Sequence, residues 1–339
     1  MTTLPLFGED RPSSAPAPAS PTAPAAPRAP TGRPAAPPAG LLVVDGDGLA
    51  HRAFHAFGTG HPDGPVHGFF ALLAGVAEQA PADGLVVGFD SRDRSRRRER
   101  WPAYKAQRAS KPPALEALLF ALPDALTDLG VAVVTAEGWE ADDVLASAAA
   151  ALEAAGQRGV LATADRDAFC LISAKVTVLR LRQRAAAVRV TPAQLRREVG
   201  VGPEQYLEFA ALRGDPSDNL PGVPGIGRAR AAALLTAYPT VAAAASDPMG
   251  TRSVLGRGPG QALLDDVAAG DASVFARNLA LMTPYADIPI DLAASARRPD
   301  PERVLSHCQR WGVPRVAARL ATAIAARPDP VPPPEAPED

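Results

Sequence analysis

Five short apolar runs, separated by stretches with helical periodicity, constrain this chain more than any other feature of its sequence. Parallel strands alternate with helices in this way, because the chain returns to the start of each new strand through a covering helix. The sequence therefore predicts an α/β fold with a parallel sheet. The predicted strands are 41–45 (LLVVD), 85–90 (LVVGFD), 131–136 (VAVVTA), 159–165 (GVLATAD) and 176–181 (VTVLRL).

Composition separates a folded body from two tails. With 339 residues, 47% of them hydrophobic, the chain can bury a substantial core. Residues 1–40 and 328–339 are rich in Pro and Ala and are predicted to be disordered. No apolar run approaches the roughly 18 residues of a membrane span, and the N-terminus lacks the pattern of a signal peptide. Only two cysteines are present, which fits a reducing compartment, so we expect a cytoplasmic protein.

Acidic residues are predicted to converge at one edge of the sheet. Three strands end in aspartate, and the carboxyl ends of parallel strands form the edge where ligands bind. The sequence GWEADDVLAS at 138–147 opens the helix after the third strand and so reaches the same edge. Together with a following turn, this places seven carboxylates around one small volume. They are Asp45, Asp90, Glu140, Asp142, Asp143, Asp165 and Asp167.

Carboxylates held this close need a cation, since their repulsion is costly in a partly desolvated cleft. Oxygen ligands without His or Cys favour Mg²⁺ or Mn²⁺ over zinc. Glu140 and Asp143 share a helix face while Asp142 points about 100° away from Asp143, so the cluster can serve two neighbouring points. The alternative is that each carboxylate merely caps a turn or complements a helix dipole. That alternative explains single members but not their joint placement.

The segment 91–111, SRDRSRRRERWPAYKAQRASK, is strongly basic and follows Asp90 directly. A run of charge usually forms a solvated face. Here the charges are interleaved with Trp101 and Tyr104 and adjoin an acidic edge. This combination favours a clamp for a polyanion whose bases can stack.

A glycine-rich turn, GVPGIG at 222–227, immediately precedes an Ala- and Leu-rich helix that carries Arg228 and Arg230. Exposed amides at a helix N-terminus bind phosphate without reading base sequence. A plain glycine-proline turn between helices is the alternative. Asp215 and Asp218 lie just upstream and add two carboxylates in a loop.

Six motifs stand in the order and spacing of a known family. They are VVDGDGLAHRAFHAF (43–57), VVGFD with RRERWPAYKAQR (86–108), GWEADDVLA (138–146), TADRD (163–167), LRGDPSDNLPGVPGIG (212–227) and LMTPYADIPID (281–291). Through them the chain resembles the bacterial 5′-3′ exonucleases, the flap-endonuclease-like nuclease domain of DNA polymerase I. The resemblance implies a PIN-like α/β domain over 41–190 with a basic helical arch at about 91–112, and a helix-hairpin-helix DNA-binding subdomain over 191–291. A C-terminal helical segment is expected over 292–327.

The resemblance also implies an enzyme of DNA replication and repair that cuts 5′ flaps, nicks and gapped or branched ends with two Mg²⁺ or Mn²⁺ ions. The first ion would be held by Asp45, Asp90, Glu140, Asp142 and Asp165, and the second by Asp143, Asp167, Asp215 and Asp218. Lys105 and Arg108 match residues that contact the scissile phosphate, and Arg52 matches a further phosphate contact. The implied DNA-binding positions are Arg97, Arg98, Tyr104, Gly222, Gly225, Gly227, Arg228 and Arg230, with a bound K⁺ at 222–227.

One departure from the family pattern bears on the metal site. Asp47 stands where the family usually has a small polar residue, so its charge is expected to alter metal affinity beside Asp45.

Two alternatives remain open on the sequence, a branched-DNA-binding protein of the same fold that does not cleave and a PIN-type ribonuclease. The complete carboxylate set argues against the first, and the hairpin with the basic arch argues against the second. LPLF, Leu4–Phe7, resembles part of a sliding-clamp-binding peptide. No polymerase domain follows, so we expect a free-standing, monomeric, nucleoid-associated nuclease.

Overall fold

A twisted, mostly parallel sheet carries the first half of the fold. The computed structural model describes residues 39–58, 64–182 and 185–325. Within these ranges six strands form one sheet in the order β3-β2-β1-β4-β5-β6, with β1 to β5 parallel and β6 antiparallel to β5. The strands are β1 (Ala39–Asp45), β2 (Ala82–Gly88), β3 (Ala132–Val134), β4 (Gly159–Thr163), β5 (Val176–Arg182) and β6 (Ala185–Val190).

The parallel sheet predicted from the apolar runs is confirmed, with two differences in detail. β3 is only three residues long, and an antiparallel edge strand, β6, extends the sheet beyond the five predicted strands. β6 escaped prediction because its sequence, AAAVRV, lacks a run of large apolar residues. Its side chains are mostly exposed or half-buried, as an edge strand allows.

Helices cover both faces of the sheet, because alternate strand residues point to opposite sides. Leu42 and Val44 of β1 pack in one core with α1 (Gly46–Phe57), α2 (Gly64–Gln79) and α4 (Pro113–Leu129). Leu41 and Val43 pack in a second core with α5 (Ala141–Ala154) and the second half of the chain.

The basic segment contains the single five-residue helix α3 (Arg96–Arg100), followed by turns to residue 108. It differs in this respect from the helical arch expected there. Pro102 and Pro112 limit helix formation, since proline removes a backbone donor and restricts the residue before it.

The second half is helical and packs on the second core. Its helices are α6 (Pro192–Val199), α7 (Pro203–Arg213), α8 (Arg228–Ala237), α9 (Val241–Ala245), α10 (Pro248–Leu255), α11 (Arg257–Ala268) and α12 (Val274–Met282). Two short strands, β7 (Gly214–Asp215) and β8 (Leu220–Pro221), pair antiparallel between α7 and α8. α7 contacts the short helical turn Asp167–Leu171, which brings this half against the carboxyl edge of the sheet.

The last helices are α13 (Leu292–Ser295), α14 (Pro301–Arg310) and α15 (Pro314–Ala325). α13 contacts β2, with Leu292 packed on the second core, and the other two helices return to the first core. α15 packs on α2 and α14 packs on α4, and their buried Val304, Cys308 and Leu320 belong to the first core. Among the described residues, no helix is long and apolar enough to cross a membrane. The predicted tails and the Leu4–Phe7 motif lie outside the described residues.

Candidate active site, an acidic cleft closed by the basic segment

Aspartates at the ends of three neighbouring strands begin the site. Asp45 ends β1, while Asp90 and Asp165 lie two residues beyond β2 and β4, the two neighbours of β1. Asp45 Oδ1 accepts from the Gly48 amide at 2.7 Å, so Asp45 also caps α1. The parallel register therefore delivers all three carboxylates to one edge, as the strand pattern predicts.

The N-terminus of α5 is fastened to the same edge. Asp90 Oδ1 accepts from the Ala141 amide at 2.8 Å. Glu140 is the N-cap of α5 and Asp142 lies in its first turn. Because the helix start is bonded to a strand-end carboxylate, Glu140 and Asp142 face the same cleft.

The cleft holds more negative charge than its surroundings offset. Burial, reinforced by the neighbouring carboxylates, raises the pKa of Asp45 to about 6 and that of Asp90 to about 7. Burial and then Asp165 and Asp45 raise the pKa of Asp142 well above its usual value. Carboxyl groups with such raised pKa values gain by binding a cation, which replaces the proton.

A second group of carboxylates adjoins the first on an open cleft of about 590 Å³. Asp165, Asp167 and Asp215 line it. Asp165 Oδ1 accepts from the Asp167 amide at 2.8 Å, and Asp215 Oδ1 accepts from the Ser217 amide at 2.8 Å. Burial, with repulsion from Asp165, Asp215 and Asp218, raises the pKa of Asp167 to about 8. Asp165 adjoins both groups, since its charge raises the pKa of Asp142 and its side chain lines this cleft.

The donor set fits hard divalent cations. In residues 39–58, 64–182 and 185–325, no three His, Cys, Asp or Glu side chains already converge as a finished metal site. The side chains of Asp142 and Asp167 accept no hydrogen bond from any described residue, so their oxygens are available to an ion. Oxygen-only ligands of this kind suit Mg²⁺ and Mn²⁺.

Lys105 and Arg108 lie among these carboxylates. Lys105 Nζ is 2.8 Å from Glu140 Oε2 and 3.9 Å from Asp218 Oδ2. Its φ of +56° is uncommon for a residue other than glycine, and its amide donates to Asp218 O at 3.0 Å. Arg108 Nη2 lies 2.5 Å from Asp218 Oδ1. The basic segment therefore closes on the cleft and supplies counter-charges to it.

These cations hold Glu140 in its charged form. Burial acts to raise the pKa of Glu140, but Lys105 and Arg97 more than offset it, so the pKa lies below its usual value. Burial likewise raises the pKa of Asp218, and Lys105 and Arg108 only partly oppose it.

Arg97 and Asp143 are paired inside the protein. Arg97 is 5% exposed and Asp143 is 0% exposed. Arg97 Nη1 and Nη2 lie 2.8 and 2.7 Å from the two oxygens of Asp143. Those oxygens also accept from the amides of Glu140 and Tyr285 at 2.9 Å each. In this arrangement both oxygens of Asp143 are bonded within the protein, and little of Arg97 is exposed.

Of the remaining residues predicted to contact DNA, some lie at the cleft and others lie away from its carboxylates. Tyr104 is 4% exposed, and its hydroxyl donates to Glu140 Oε2 at 3.2 Å. Arg98 is exposed on α3. Arg52 donates to Arg182 O at 2.8 Å, and it makes no hydrogen bond to a cleft carboxylate among the described residues.

The glycines of the 222–227 turn serve different purposes. A Cβ on Gly222 would lie 2.2 Å from Arg213 O, so backbone packs on backbone there. Gly225 has a φ of +77°, a conformation that favours glycine. Gly227 caps α8 without a side-chain bond, and a Cβ on it would meet no atom within 4 Å. Arg230 Nη1 donates to Gly225 O at 2.9 Å and braces the turn, leaving the start of α8 open to a ligand.

Two family models match this chain in sequence, and together they span most of it. The model described as the 5′-3′ exonuclease N-terminal resolvase-like domain matches residues 40–200, and that of the 5′-3′ exonuclease C-terminal SAM fold matches residues 201–302. The chain belongs to the 5′-3′ exonuclease family. The predicted resemblance is therefore confirmed.

DNA polymerases are among the curated relatives of this chain. DNA polymerase I of Mycobacterium bovis is 36% identical over 272 residues, covering 78% of this chain and 28% of the polymerase. The thermostable DNA polymerase I of Thermus filiformis is 42% identical over 211 residues, covering 60% of this chain and 24% of the polymerase. The chain thus spans about a quarter of the length of the polymerases it matches.

Solved structures share the fold at low sequence identity. The T5 5′-exonuclease, solved with zinc ions bound, has a TM-score of 0.57 and 22% identity, with 85% of this chain and 100% of that chain covered. The catalytic core of Rad2 in complex with DNA substrate has a TM-score of 0.54 and 15% identity, with 85% and 93% covered. Human GEN1 in complex with Holliday junction DNA has a TM-score of 0.54 and 16% identity, with 84% and 72% covered. The expected nuclease fold is confirmed.

The contacts of two residues, Thr163 and Asp47, escaped sequence reasoning. Thr163 Oγ1 donates to Asp45 Oδ2 at 2.9 Å and accepts from the Asp165 amide at 3.0 Å, so it holds two strand-end aspartates together. The sequence signal that could have revealed Thr163 is its position two residues before Asp165. Asp47 is not an unpaired charge, because both its oxygens bind Arg92, at 2.7 and 3.0 Å. Asp47 Oδ2 also accepts from the Asp90 amide at 2.8 Å.

Proposed function

We propose that this protein is a structure-specific 5′ nuclease that hydrolyses DNA phosphodiester bonds at flaps, nicks and branched ends. One observation carries the proposal. Two adjoining groups of carboxylates lie at one edge of the sheet, and Lys105 and Arg108 contact Glu140 and Asp218 among them. A phosphodiester in this cleft would meet cation-binding oxygens and two fixed positive charges together.

The carboxylates would hold two divalent ions, Mg²⁺ or Mn²⁺. The first ion would be held by Asp45, Asp90, Glu140, Asp142 and Asp165, and the second by Asp167, Asp215 and Asp218. When bound, such ions polarise the phosphate and lower the pKa of the attacking water. The sequence-based assignment of Asp143 to the second ion stays a prediction, and its four hydrogen bonds favour a supporting role instead.

Lys105 and Arg108 would change partners during the reaction. In this structure they are bonded to Glu140 and Asp218. With divalent ions held by these carboxylates, both side chains would be free to contact the scissile phosphate and to offset the charge that grows on it. The positive φ of Lys105 sets the direction in which its side chain leaves the backbone.

The hairpin would select duplex next to a single-stranded end. The open amides at the start of α8 suit a backbone phosphate, and a K⁺ ion at 222–227 would strengthen that contact. The basic segment would guide the 5′ strand into the cleft. The hairpin and the basic segment would both contact the DNA backbone rather than the bases. The enzyme would therefore recognise a junction and not a base sequence. We further propose that it acts as a monomer on nucleoid DNA in the cytoplasm.

The test is Mg²⁺-dependent cleavage of a 5′-labelled double-flap DNA by the wild type and by Asp165→Ala. Asp165 is exposed, so its loss should not unfold the chain. We expect the wild type to cut near the junction, and the variant to bind without cutting. Junction binding without any cleavage in Mg²⁺ or Mn²⁺ would identify a DNA-binding protein instead. Preference for an otherwise identical RNA flap would identify a ribonuclease.

A further inference from the structure

A second cavity, of about 290 Å³, adjoins the acidic cleft and is lined by arginines. Four of them surround it, namely Arg166, Arg180, Arg213 and Arg228. They come from four places, the loop after β4, strand β5, the end of α7 and the start of α8. Arg166 and Arg213 line both this cavity and the acidic cleft, so the two cavities are adjacent. We call this second cavity the arginine pocket.

Positive charge in the arginine pocket is mostly uncompensated. Among the described residues, Glu198 is the only acidic one in its lining. The nearest approach of Arg180 to that carboxylate is 3.8 Å, which is long for a charged hydrogen bond. Arg228 donates to the backbone carbonyl of Glu198 and not to its carboxylate. The side chain of Arg166 is exposed and forms no hydrogen bond or ion pair with any residue that the structure describes. The pocket therefore favours an anion.

The shape of the pocket favours a phosphate over a base. Its aromatic wall consists of Phe169, Tyr206 and Phe209, each 1% exposed. These rings pack on one another, with centroids 5.4 and 5.6 Å apart, and offer no free face for stacking. The guanidinium of Arg213 is held by its bond to Gly214 O at 3.1 Å and lies 5.7 Å from the Phe209 ring centroid. A guanidinium held in place suits the oxygens of a phosphate.

We propose that the arginine pocket binds a phosphate group of the same DNA strand whose scissile bond lies in the acidic cleft. This inference rests on the proposed nuclease function and adds a binding subsite to it. The acidic cleft repels DNA until divalent ions arrive, and the neighbouring arginines offset that repulsion. The pocket thereby positions the strand along a path from the cleft towards the start of α8.

The test compares Arg180→Gln/Arg213→Gln with a control that also removes two arginine charges, Arg252→Gln/Arg319→Gln. In the wild type, Arg252 contacts Gln261, and Arg319 contacts Glu78, both outside the pocket. Affinity for the flap DNA is measured by fluorescence anisotropy in Ca²⁺ over a range of salt. Steady-state cleavage is measured in Mg²⁺. Flaps with a 5′-phosphate and with a 5′-hydroxyl distinguish a terminal phosphate from an internal one.

We expect the pocket variant to bind about tenfold more weakly, with KM rising by a similar factor and kcat falling less than about threefold. The slope of log K against log salt should fall by about 0.9 for each phosphate that the pocket no longer neutralises. Arg180→Lys/Arg213→Lys keeps the charge and should recover most of the slope. Equal reductions in affinity on both flaps indicate an internal phosphate, and a reduction confined to the 5′-phosphate flap indicates a terminal one.

Unchanged affinity and salt slope in a folded pocket variant would overturn the proposal, as would an equal reduction in affinity in the control. Thermal unfolding of both double variants checks that they are folded. Failure of the wild type to cut any flap would count against the nuclease function alone, since the binding measurements do not depend on cleavage.

Discussion

Arg97 and Asp143 form a bidentate ion pair that joins three segments of the chain. Arg97 belongs to α3 and Asp143 to the first turn of α5, and both are buried. Arg97 Nε also donates to Leu281 O at 2.8 Å, and Asp143 accepts from the Tyr285 amide. The pair therefore fastens the basic segment and the end of α12 to the helix that carries Glu140 and Asp142.

This pair predicts a stability phenotype for Asp143 that a metal ligand would not show. Asp143→Ala removes the bidentate partner of buried Arg97 and leaves it only Glu140, 3.6 Å away, as a carboxylate contact. We expect the free energy of unfolding in EDTA to fall by about 3–5 kcal/mol. Asp165→Ala should change it by less than about 0.5 kcal/mol, since Asp165 is exposed. Urea denaturation of both variants measures the difference. If the two variants were equally stable, Asp143 would be assigned as a metal ligand.

The raised pKa values in the cleft predict how stability depends on pH without metal. The folded pKa values of Asp45, Asp90 and Asp167, about 6, 7 and 8, lie above the usual value of 3.8. Between these limits the folded state binds more protons than the unfolded state, so stability falls as pH rises from about 4 to 8. We expect Tm in EDTA to be lower at pH 8 than at pH 5.

Divalent ions should reverse this trend, because they replace the protons. Excess Mg²⁺ should raise Tm more at pH 8 than at pH 5. Asp142→Asn/Asp167→Asn removes two of the repelling charges and should flatten the pH dependence in EDTA. A Tm in EDTA that rises steadily from pH 5 to pH 8 in the wild type would contradict the assignment of a charged, uncompensated cleft.

Asp47 is expected to act by holding Asp90 and Arg92 rather than by its charge. Asp47→Ala removes the acceptor for the Asp90 amide, so the Mg²⁺ concentration for half-maximal cleavage should rise about tenfold. Asp47→Asn keeps an oxygen at that position and should restore most of the metal affinity. If both variants shifted the Mg²⁺ requirement equally, charge alone would be the cause, as the sequence suggests.

Gly222 and Gly227 predict opposite phenotypes within one turn. Gly222→Ala places a methyl group against Arg213 O and should destabilise the fold by about 1–3 kcal/mol. Gly227→Ala has free space and should change stability by less than about 0.5 kcal/mol. It should nevertheless weaken duplex DNA binding, because the methyl group occupies the approach to the open amides. Urea denaturation and DNA anisotropy on both variants separate these effects, and normal duplex binding by Gly227→Ala would argue against a phosphate at this turn.

The sequence alone determined the features that depend on local pattern. Apolar runs indicated the parallel strands. The aspartates at or just after the ends of β1, β2 and β4 indicated one edge of the sheet, because parallel strands all end at the same edge. The antiparallel β6 was missed, since an exposed edge strand needs no apolar run. The motifs indicated the family, because the order and spacing of residues can be read directly from the sequence.

Tertiary structure decided what each carboxylate does. Asp142 and Asp143 are neighbours in sequence, yet the turn of α5 directs one to the cleft and buries the other against Arg97. The simple explanation of acidic residues at a helix start, as caps, thus holds for Asp143 alone of the two. The pairing of Asp47 with Arg92 and the gathering of four arginines into one pocket join residues that are far apart in the chain. Only the packing of α7 against the turn after β4, and of α8 against α7, brings the four arginines to one pocket, so no local pattern could show them.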